Sequence, residues 1–361
     1  MSASEWLLYG ANGYTGELAL IEAVKRGLQP TIAGRNGGAI ALLAERYGVS
    51  GLALDLSESA RLDAALKGKK LVLHCAGPFS QTSAPMIEAC LRNGVHYLDI
   101  TGEIDVFRHA YAQHQRAIDA GVALLPGVGF DVVPTDCLAL LLKEALPDAT
   151  ELTLAFEAGG GPSPGTAKSS IEAMAKGGRV RRSGELVEVP LAFKTREIPF
   201  AKGRRLAVTI PWGDVFTSFI STGIPDCEVY LSLPPAAIAN MRRARMLSGL
   251  LKFDFVQRFL KNRVTKSVRG PSDAKRGSSE SLIYGEVRNR QDVIKTAEMT
   301  TPNGYDLTVS ASLGVVQHLL NHNIPPGYHT AAQLLGSGYA ATLPGVRVSP
   351  ITLVSKGLGV V

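Results

Sequence analysis

The sequence predicts an α/β chain. A doubly wound parallel sheet is expected over residues 1–132. A second α+β domain, built on a mixed, largely antiparallel sheet, is expected over 133–361, with the C-terminal segment free to pack back on the first. Three observations lead there. Short apolar runs alternate with helical patterns through the first third of the chain, the signature of βα units. The first run, Trp6-Leu7-Leu8-Tyr9, passes directly into Gly10-Ala11-Asn12-Gly13-Tyr14-Thr15-Gly16. Beyond residue 150 the pattern changes to alternating strands and turns with few βα units.

The elements follow in order. A helix over about Glu17–Arg26 succeeds the glycine turn, and Thr31–Ala33 forms the second strand. Asn36 suits the cap of a helix running through Tyr47. Strands are read at Gly51–Leu54, Leu71–Cys75, Val95–Ile100 and Val122–Leu125. Helices are read near Ala84–Asn93 and Val106–Ala120, with another starting near Pro134. Glu151–Ala158 alternates as a strand, and Thr166–Lys176 reads as a helix after the glycine-rich 159–165 loop. Strands and turns are expected from there to Leu233. A helix is read over about Pro235–Arg263, broken near Ser248-Gly249. Ser281–Val287 and Val293–Thr300 read as antiparallel neighbours. Thr308–Asn321 and His329–Leu335 read as helical, and Val346–Val354 as a returning strand.

At 361 residues, with 45% hydrophobic and 19% charged residues, the chain can bury substantial cores in two domains. The N-terminus reads straight into a strand with no signal peptide, and no apolar run reaches membrane-spanning length. The expected location is therefore cytoplasmic. Cys75, Cys90, Cys137 and Cys227 are scattered, lack metal-ligand spacing and read as small buried hydrophobes. No metal site is expected.

The glycine turn carries the most chemistry. Gly10 permits a tight turn, Gly13 lets backbone approach phosphates, and Gly16 lets helix and strand pack closely. The helix start then faces a pyrophosphate with free N–H groups. Asn12, Tyr14 and Thr15 belong to the same turn; Thr15 suits a phosphate bond and Tyr14 the shape of the pocket. One βα spacing later stands Ala33-Gly34-Arg35. A carboxylate there would hold a ribose 2′-hydroxyl, whereas Arg35 offers a planar fork to a 2′-phosphate. The expected cofactor is NADP.

Ligands bind at the carboxyl ends of such strands, which makes the following loops candidates. Asp55 either faces the adenine or caps the segment beginning near Ser57. Ala76, Gly77, Pro78 and Phe79 suit close approach to the ribose and nicotinamide. Glu103 reads as a cap for its own helix rather than a substrate contact. The candidate catalytic groups are Asp131, ending the glycine-rich 126–131 loop, and Lys168, at a helix start beyond Gly165-Thr166. His74 reads as a strand residue rather than an acid.

Charge divides unevenly. Residues 1–150 hold 12 Lys/Arg against 16 Asp/Glu, and the remainder 26 against 16. The basic excess, including Met241–Phe259, suits an anionic acyl carrier, an acidic carrier protein or a peripheral membrane contact. A helix with one core face and one solvated cationic face explains the same residues. No nucleic-acid motif accompanies the charge, so nucleic-acid binding is not expected.

Gly10–Gly16, Ala33–Arg35, Cys75–Phe79, Tyr97–Glu103 and Pro126–Asp136 occur in an order that resembles the saccharopine dehydrogenase-like oxidoreductases, including the trans-acting enoyl reductases. Gly165–Lys168, Ile210–Asp214 and Pro325–Thr330 extend the resemblance over nearly the whole chain. It implies a Rossmann domain joined to a second α+β domain, and NADP-linked reduction. The arginine pattern of a true saccharopine enzyme has no clear match here. The expected activity is NADPH-dependent reduction of a carbonyl or conjugated enoyl group in an apolar acyl substrate. The alternatives are an NADP-sensing regulator without turnover and a saccharopine-type amino-acid dehydrogenase. A homodimer through the second domain's sheet is expected by fold analogy.

Overall fold

A computed structural model describes residues 5–246 and 254–354. Seven parallel strands form the first sheet: β1 (Trp6–Tyr9), β2 (Thr31–Gly34), β3 (Ser50–Ala53), β4 (Leu71–His74), β5 (His96–Asp99), β6 (Ala123–Leu125) and the distant β15 (Gly327–Tyr328). Their spatial order is β15-β6-β5-β4-β1-β2-β3. The order reverses direction at β1, as in a doubly wound fold. The crossover helices are α1 (Tyr14–Lys25), α2 (Gly37–Tyr47), α3 (Ser59–Leu66), α4 (Phe79–Asn93), α5 (Ile104–Ala112) and α6 (His114–Asp119). Strands β1, β2, β4 and β6 are wholly buried, which is why they read as continuous apolar runs rather than alternating ones.

The second sheet is mixed, in the order β10-β11-β12-β7-β13-β14-β16. Its strands are β7 (Glu151–Glu157), β8 (Gly178–Arg182), β9 (Glu185–Val189), β10 (Thr195–Phe200), β11 (Gly203–Thr209), β12 (Asp226–Ser232), β13 (Glu280–Arg288), β14 (Ile294–Pro302), β16 (Arg347–Val348) and β17 (Thr352–Val354). Only β7 and β12 pair in parallel; the other pairs are antiparallel. Its helices are α7 (Val133–Ala145), α8 (Pro164–Lys176), α9 (Asp214–Thr222), α10 (Pro235–Met246), α11 (Asp254–Ser267), α12 (Asp273–Gly277), α13 (Gly304–Asn321) and α14 (Ala331–Leu335). Helix α7 leaves the first sheet and packs on β13 and β14, while α13 returns to cover α1 and β4. One apolar core runs from Leu7 through Phe107 and Leu142 to Leu313, so the two sheets share their buried interior.

Several expected boundaries shift for local reasons. The helix expected from Ala84 begins at Phe79, because the loop after β4 supplies its first turn and Pro85 is tolerated inside it. The single helix expected over 106–120 is two, α5 and α6, meeting at Gln113. The helix expected from His329 follows strand β15 and begins only after Thr330, which caps α14 reciprocally with Gln333. Residues 214–222, expected among strands, form α9; their β-branched and aromatic content suggests strand, but packing against α7 decides otherwise. The returning strand at 346–354 is two short strands, both on the outer edge of β14. The expected break at Ser248-Gly249 lies outside the described residues. No described helix is long and apolar enough to cross a membrane.

Candidate functional site

The glycine turn is a close-packed backbone cradle. Gly10 has φ +84°, and a Cβ there would stand 2.8 Å from the Ala76 backbone nitrogen. A Cβ on Gly16 would stand 2.1 Å from the Gly10 carbonyl oxygen, so α1 starts against the turn with no room for a side chain. Gly13 caps α1, and no side chain caps the helix start. Its first N–H groups therefore face outward as an anion site at the carboxyl edge of the sheet. Asn12 lies against Gly34, and Thr15 is half-buried in the first helical turn.

The Tyr14 side chain reaches away from the glycine turn. Its hydroxyl donates to the Pro271 carbonyl at 2.7 Å and receives Arg276 at 3.3 Å, and its ring meets Tyr305 edge-on at 4.9 Å. Only its backbone stays with the phosphate turn; the side chain ties that turn to the second half of the chain.

Arg35 ends β2 exposed, and among the described residues it makes no hydrogen bond or ion pair. Asp55, across from it after β3, accepts from Ser57 N at 2.9 Å and Ser57 Oγ at 2.7 Å. Those bonds, with Arg35 nearby, hold its carboxyl below the usual range. Asp55 thus shapes its own turn and leaves the Arg35 guanidinium available. An uncapped helix start, a cradle a Cβ would fill and an available guanidinium one strand over fit a dinucleotide with a 2′-phosphate.

The loop after β4 is held from the next loop. Glu103 accepts from Phe79 N at 3.0 Å and Ser80 N at 2.8 Å, capping α4 rather than its own helix α5. The sequence expectation assigned it to the wrong helix, because the partner lies across the sheet edge. Ser169 of α8 also donates to Glu103, at 3.0 Å, and Ser80 donates to Glu172 at 2.9 Å. Lys176 and Arg179 reach Asp105 at 2.7 and 2.6 Å. Helix α8 is in this way fastened over Ala76, Gly77, Pro78 and Phe79. His74 is fully buried behind them, pushed down to about 3, with Nε2 against Thr82 Oγ1.

Asp99, a buried charge closing an otherwise apolar strand, organises the next loop. Its Oδ1 accepts from Thr101 N and Gly127 N, and Tyr97 donates to Oδ2 at 2.6 Å. Burial still lifts it to about 6. That scaffold delivers Asp131, whose Oδ2 lies 2.8 Å from where a Gly102 Cβ would stand. Asp131 is largely enclosed by protein yet is not fully buried. No described donor reaches its carboxyl, and burial alone lifts it to about 7. Beside it, Phe130 meets Phe156 at 5.7 Å and Phe156 meets Trp212 at 4.8 Å, an apolar wall.

Lys168 is half-buried on α8 and makes no hydrogen bond or ion pair among the described residues. It stands one residue before Ser169, on the helix over the β4 and β5 loops. Asp131 stands on the β6 loop, and no bond joins the two candidates. Sequence reasoning left Asp99, Asp136, Trp212 and Asp214 without roles, although all four lie inside motifs it quoted. A carboxylate closing an apolar strand was the available signal for Asp99.

With this geometry in place, relatives can be compared. The saccharopine dehydrogenase NADP binding domain matches residues 6–125. A saccharopine dehydrogenase-like oxidoreductase of Mus musculus is 28% identical over 160 residues, covering 39% of this chain and 37% of that protein. A protein of Mycobacterium tuberculosis assigned to the trans-acting enoyl reductases is 29% identical over 228 residues, covering 56% and 54%. The matched stretches thus span between about a third and about half of those relatives' own lengths. Apo saccharopine dehydrogenase (L-Glu forming) of Saccharomyces cerevisiae shares the fold, at TM-score 0.63 and 10% identity, over 97% of this chain and 99% of that one.

Proposed function

We propose that this chain, whose residues 6–125 match the saccharopine dehydrogenase NADP binding domain, catalyses NADPH-dependent reduction of a carbonyl or conjugated enoyl group in an apolar acyl substrate. The observation that carries this reading is Asp131. It is an acid lifted to about 7, free of donors, at the carboxyl edge of a dinucleotide-binding sheet and beside an aromatic wall. When bound, NADPH supplies the hydride. The chain then has to orient the acceptor and deliver one proton. Gly10, Asn12, Gly13, Thr15 and Gly16 would hold the pyrophosphate, and Arg35 the 2′-phosphate. Ala76, Gly77, Pro78 and Phe79 would line the way toward the reactive end. Asp131, partly protonated near neutral pH, gives its Oδ proton to the reduced substrate. Phe130, Phe156 and Trp212 exclude water and favour an apolar chain. Lys168 approaches from α8, where its ammonium suits a carbonyl oxygen or a phosphate of the carrier.

Oxidation of NADPH is followed by absorbance against enoyl thioesters, ketoacyl thioesters and simple ketones. Turnover with at least one class is expected, falling by roughly 10²–10⁴-fold in Asp131→Asn. NADPH binding without oxidation across the whole panel would instead support a sensing regulator.

A further inference from the structure

Ten buried polar side-chain atoms lack a hydrogen-bond partner among the described residues, and five of them belong to four residues at one interface. They are both carboxyl oxygens of Asp214, Oδ1 of Asp136, Oγ1 of Thr217 and the hydroxyl of Tyr328. Asp214 and Thr217 are 0% exposed, Asp136 1% and Tyr328 3%. An unpartnered carboxyl or hydroxyl at such depth is costly, and internal water is the usual remedy.

The arrangement is linear. Asp214, Thr217 and Ser221 sit at i, i+3 and i+7 of α9, on one helical face. That face meets α7, which carries Asp136 and Thr135, whose hydroxyl lies near the Asp214 carboxyl but donates to the Val132 carbonyl at 3.0 Å. At the inner end, Gly213 packs on Val132, next to Asp131: a Cβ on Gly213 would stand 2.9 Å from Val132 Cγ1. At the outer end, Ser221 donates to Asp136 Oδ2 at 2.7 Å, and its oxygen lies 2.8 Å from Thr330 Oγ1. Ser221 has one proton and gives it to Asp136, so Thr330 must donate to Ser221. The donors therefore point inward, and Ser221 is half-open to solvent. At about 1.5 Å rise per residue, the stripe runs about 10 Å along α9.

We propose that Asp214, Thr217, Asp136 and Ser221, bridged by internal water, form a proton conduit through the α7–α9 interface that recharges Asp131. The proposal rests on the functional reading above. While cofactor and an apolar acyl chain cover the open side of Asp131, the stripe offers its carboxyl a second route to a proton, from behind. Each turnover then draws one proton from solvent at Ser221 and passes it inward. Asp136 and Asp214 each release one proton and regain one, and Asp131 ends protonated as it began. The other titratable groups near the stripe are Tyr328 and Cys137, both beside Asp136, and Cys227, whose Sγ receives the Ser218 hydroxyl at 3.4 Å. Burial holds all three neutral.

The test uses the full-length protein and the isosteric variant Asp214→Asn, with Ser221→Ala as a second entry point. In rapid mixing with NADPH and a turned-over substrate, Asp214→Asn should complete its first turnover at the wild-type rate. Steady-state turnover should then slow by roughly tenfold or more and recover on adding formic acid at millimolar levels. Infrared spectra at pH 7 should lose one protonated-carboxyl band in Asp214→Asn, a readout independent of activity. Wild-type steady-state rates in both variants, or no band lost, would overturn the conduit. If the wild-type protein oxidises no NADPH, the functional reading fails; if it turns over and only Asp131→Asn is impaired, the conduit alone fails.

Discussion

Arg35→Ala separates a 2′-phosphate contact from a surface arginine. The side chain is exposed and has no hydrogen-bond or ion-pair partner among the described residues, while the Asp55 carboxyl opposite is held by Ser57. Truncation therefore frees no buried group, and stability should move by less than about 0.5 kcal/mol, the usual range for such a surface site. Binding should respond very differently. A hydrogen bond to a charged partner contributes about 1.5–3 kcal/mol, so NADPH should bind roughly 10–150-fold more weakly. NADH has no 2′-phosphate, so its affinity should change by less than about twofold. Fluorescence titration of both nucleotides, at low and high salt, measures this. The NADPH preference of the wild-type protein should shrink as salt rises, because an exposed guanidinium is screened. Equal weakening of both nucleotides would refute the assignment, since it would place Arg35 in general cleft architecture.

Two further outcomes follow from the geometry. Gly16→Ala puts a methyl group 2.1 Å from the Gly10 carbonyl oxygen, so α1 must lift from the turn; a loss of about 1–3 kcal/mol and of measurable NADPH affinity is expected, and unchanged melting and affinity would refute the close packing. Asp131 titrates near 3.8 when unfolded and about 7 when folded, so between those values the folded protein holds a proton the unfolded chain has released. Stability should fall as pH rises from about 4 to about 7, and Asp131→Asn should flatten that decline and melt above wild type at pH 8. Parallel melting curves across that range would remove the buried acid.

What could be read in the sequence was whatever local backbone demands fix. Gly10 and Gly16 are dictated by a turn and a contact within seven residues, and Arg35 by the end of one strand. The parallel sheet follows from repeating βα units, and its order needs only short right-handed crossovers. Residues joined across long separations escaped. Glu103 was assigned to α5 because sequence shows only its own helix, whereas its partners Phe79 and Ser169 are separated from it by one strand and by most of a domain. Helix α9 was missed because its residues favour strand, and only contact with α7 makes it helical. Strand β15 lies some two hundred residues from β6, yet pairs with it in register.

The same distinction explains why the phosphate end of the site is better specified than the hydride end. Phosphate recognition here is a property of one turn, made of backbone N–H groups and the space a missing side chain leaves. Proton delivery is a property of an environment. Nothing in Phe130-Asp131-Val132 marks the aspartate as an acid. It is lifted because the loops after β5 and β6 enclose it, and because no donor follows it into that enclosure. Asp99 makes the comparison within the same molecule. It is buried more deeply, at 0% exposed, yet two backbone N–H groups and Tyr97 favour its charged form and hold it to about 6. Asp99 spends its lone pairs holding the 126–131 loop in place, and Asp131, carried on that loop with its own lone pairs free, keeps the proton. The two carboxyl groups thus divide scaffold from chemistry by their hydrogen bonds alone, and that division is visible only once the strands bring them together.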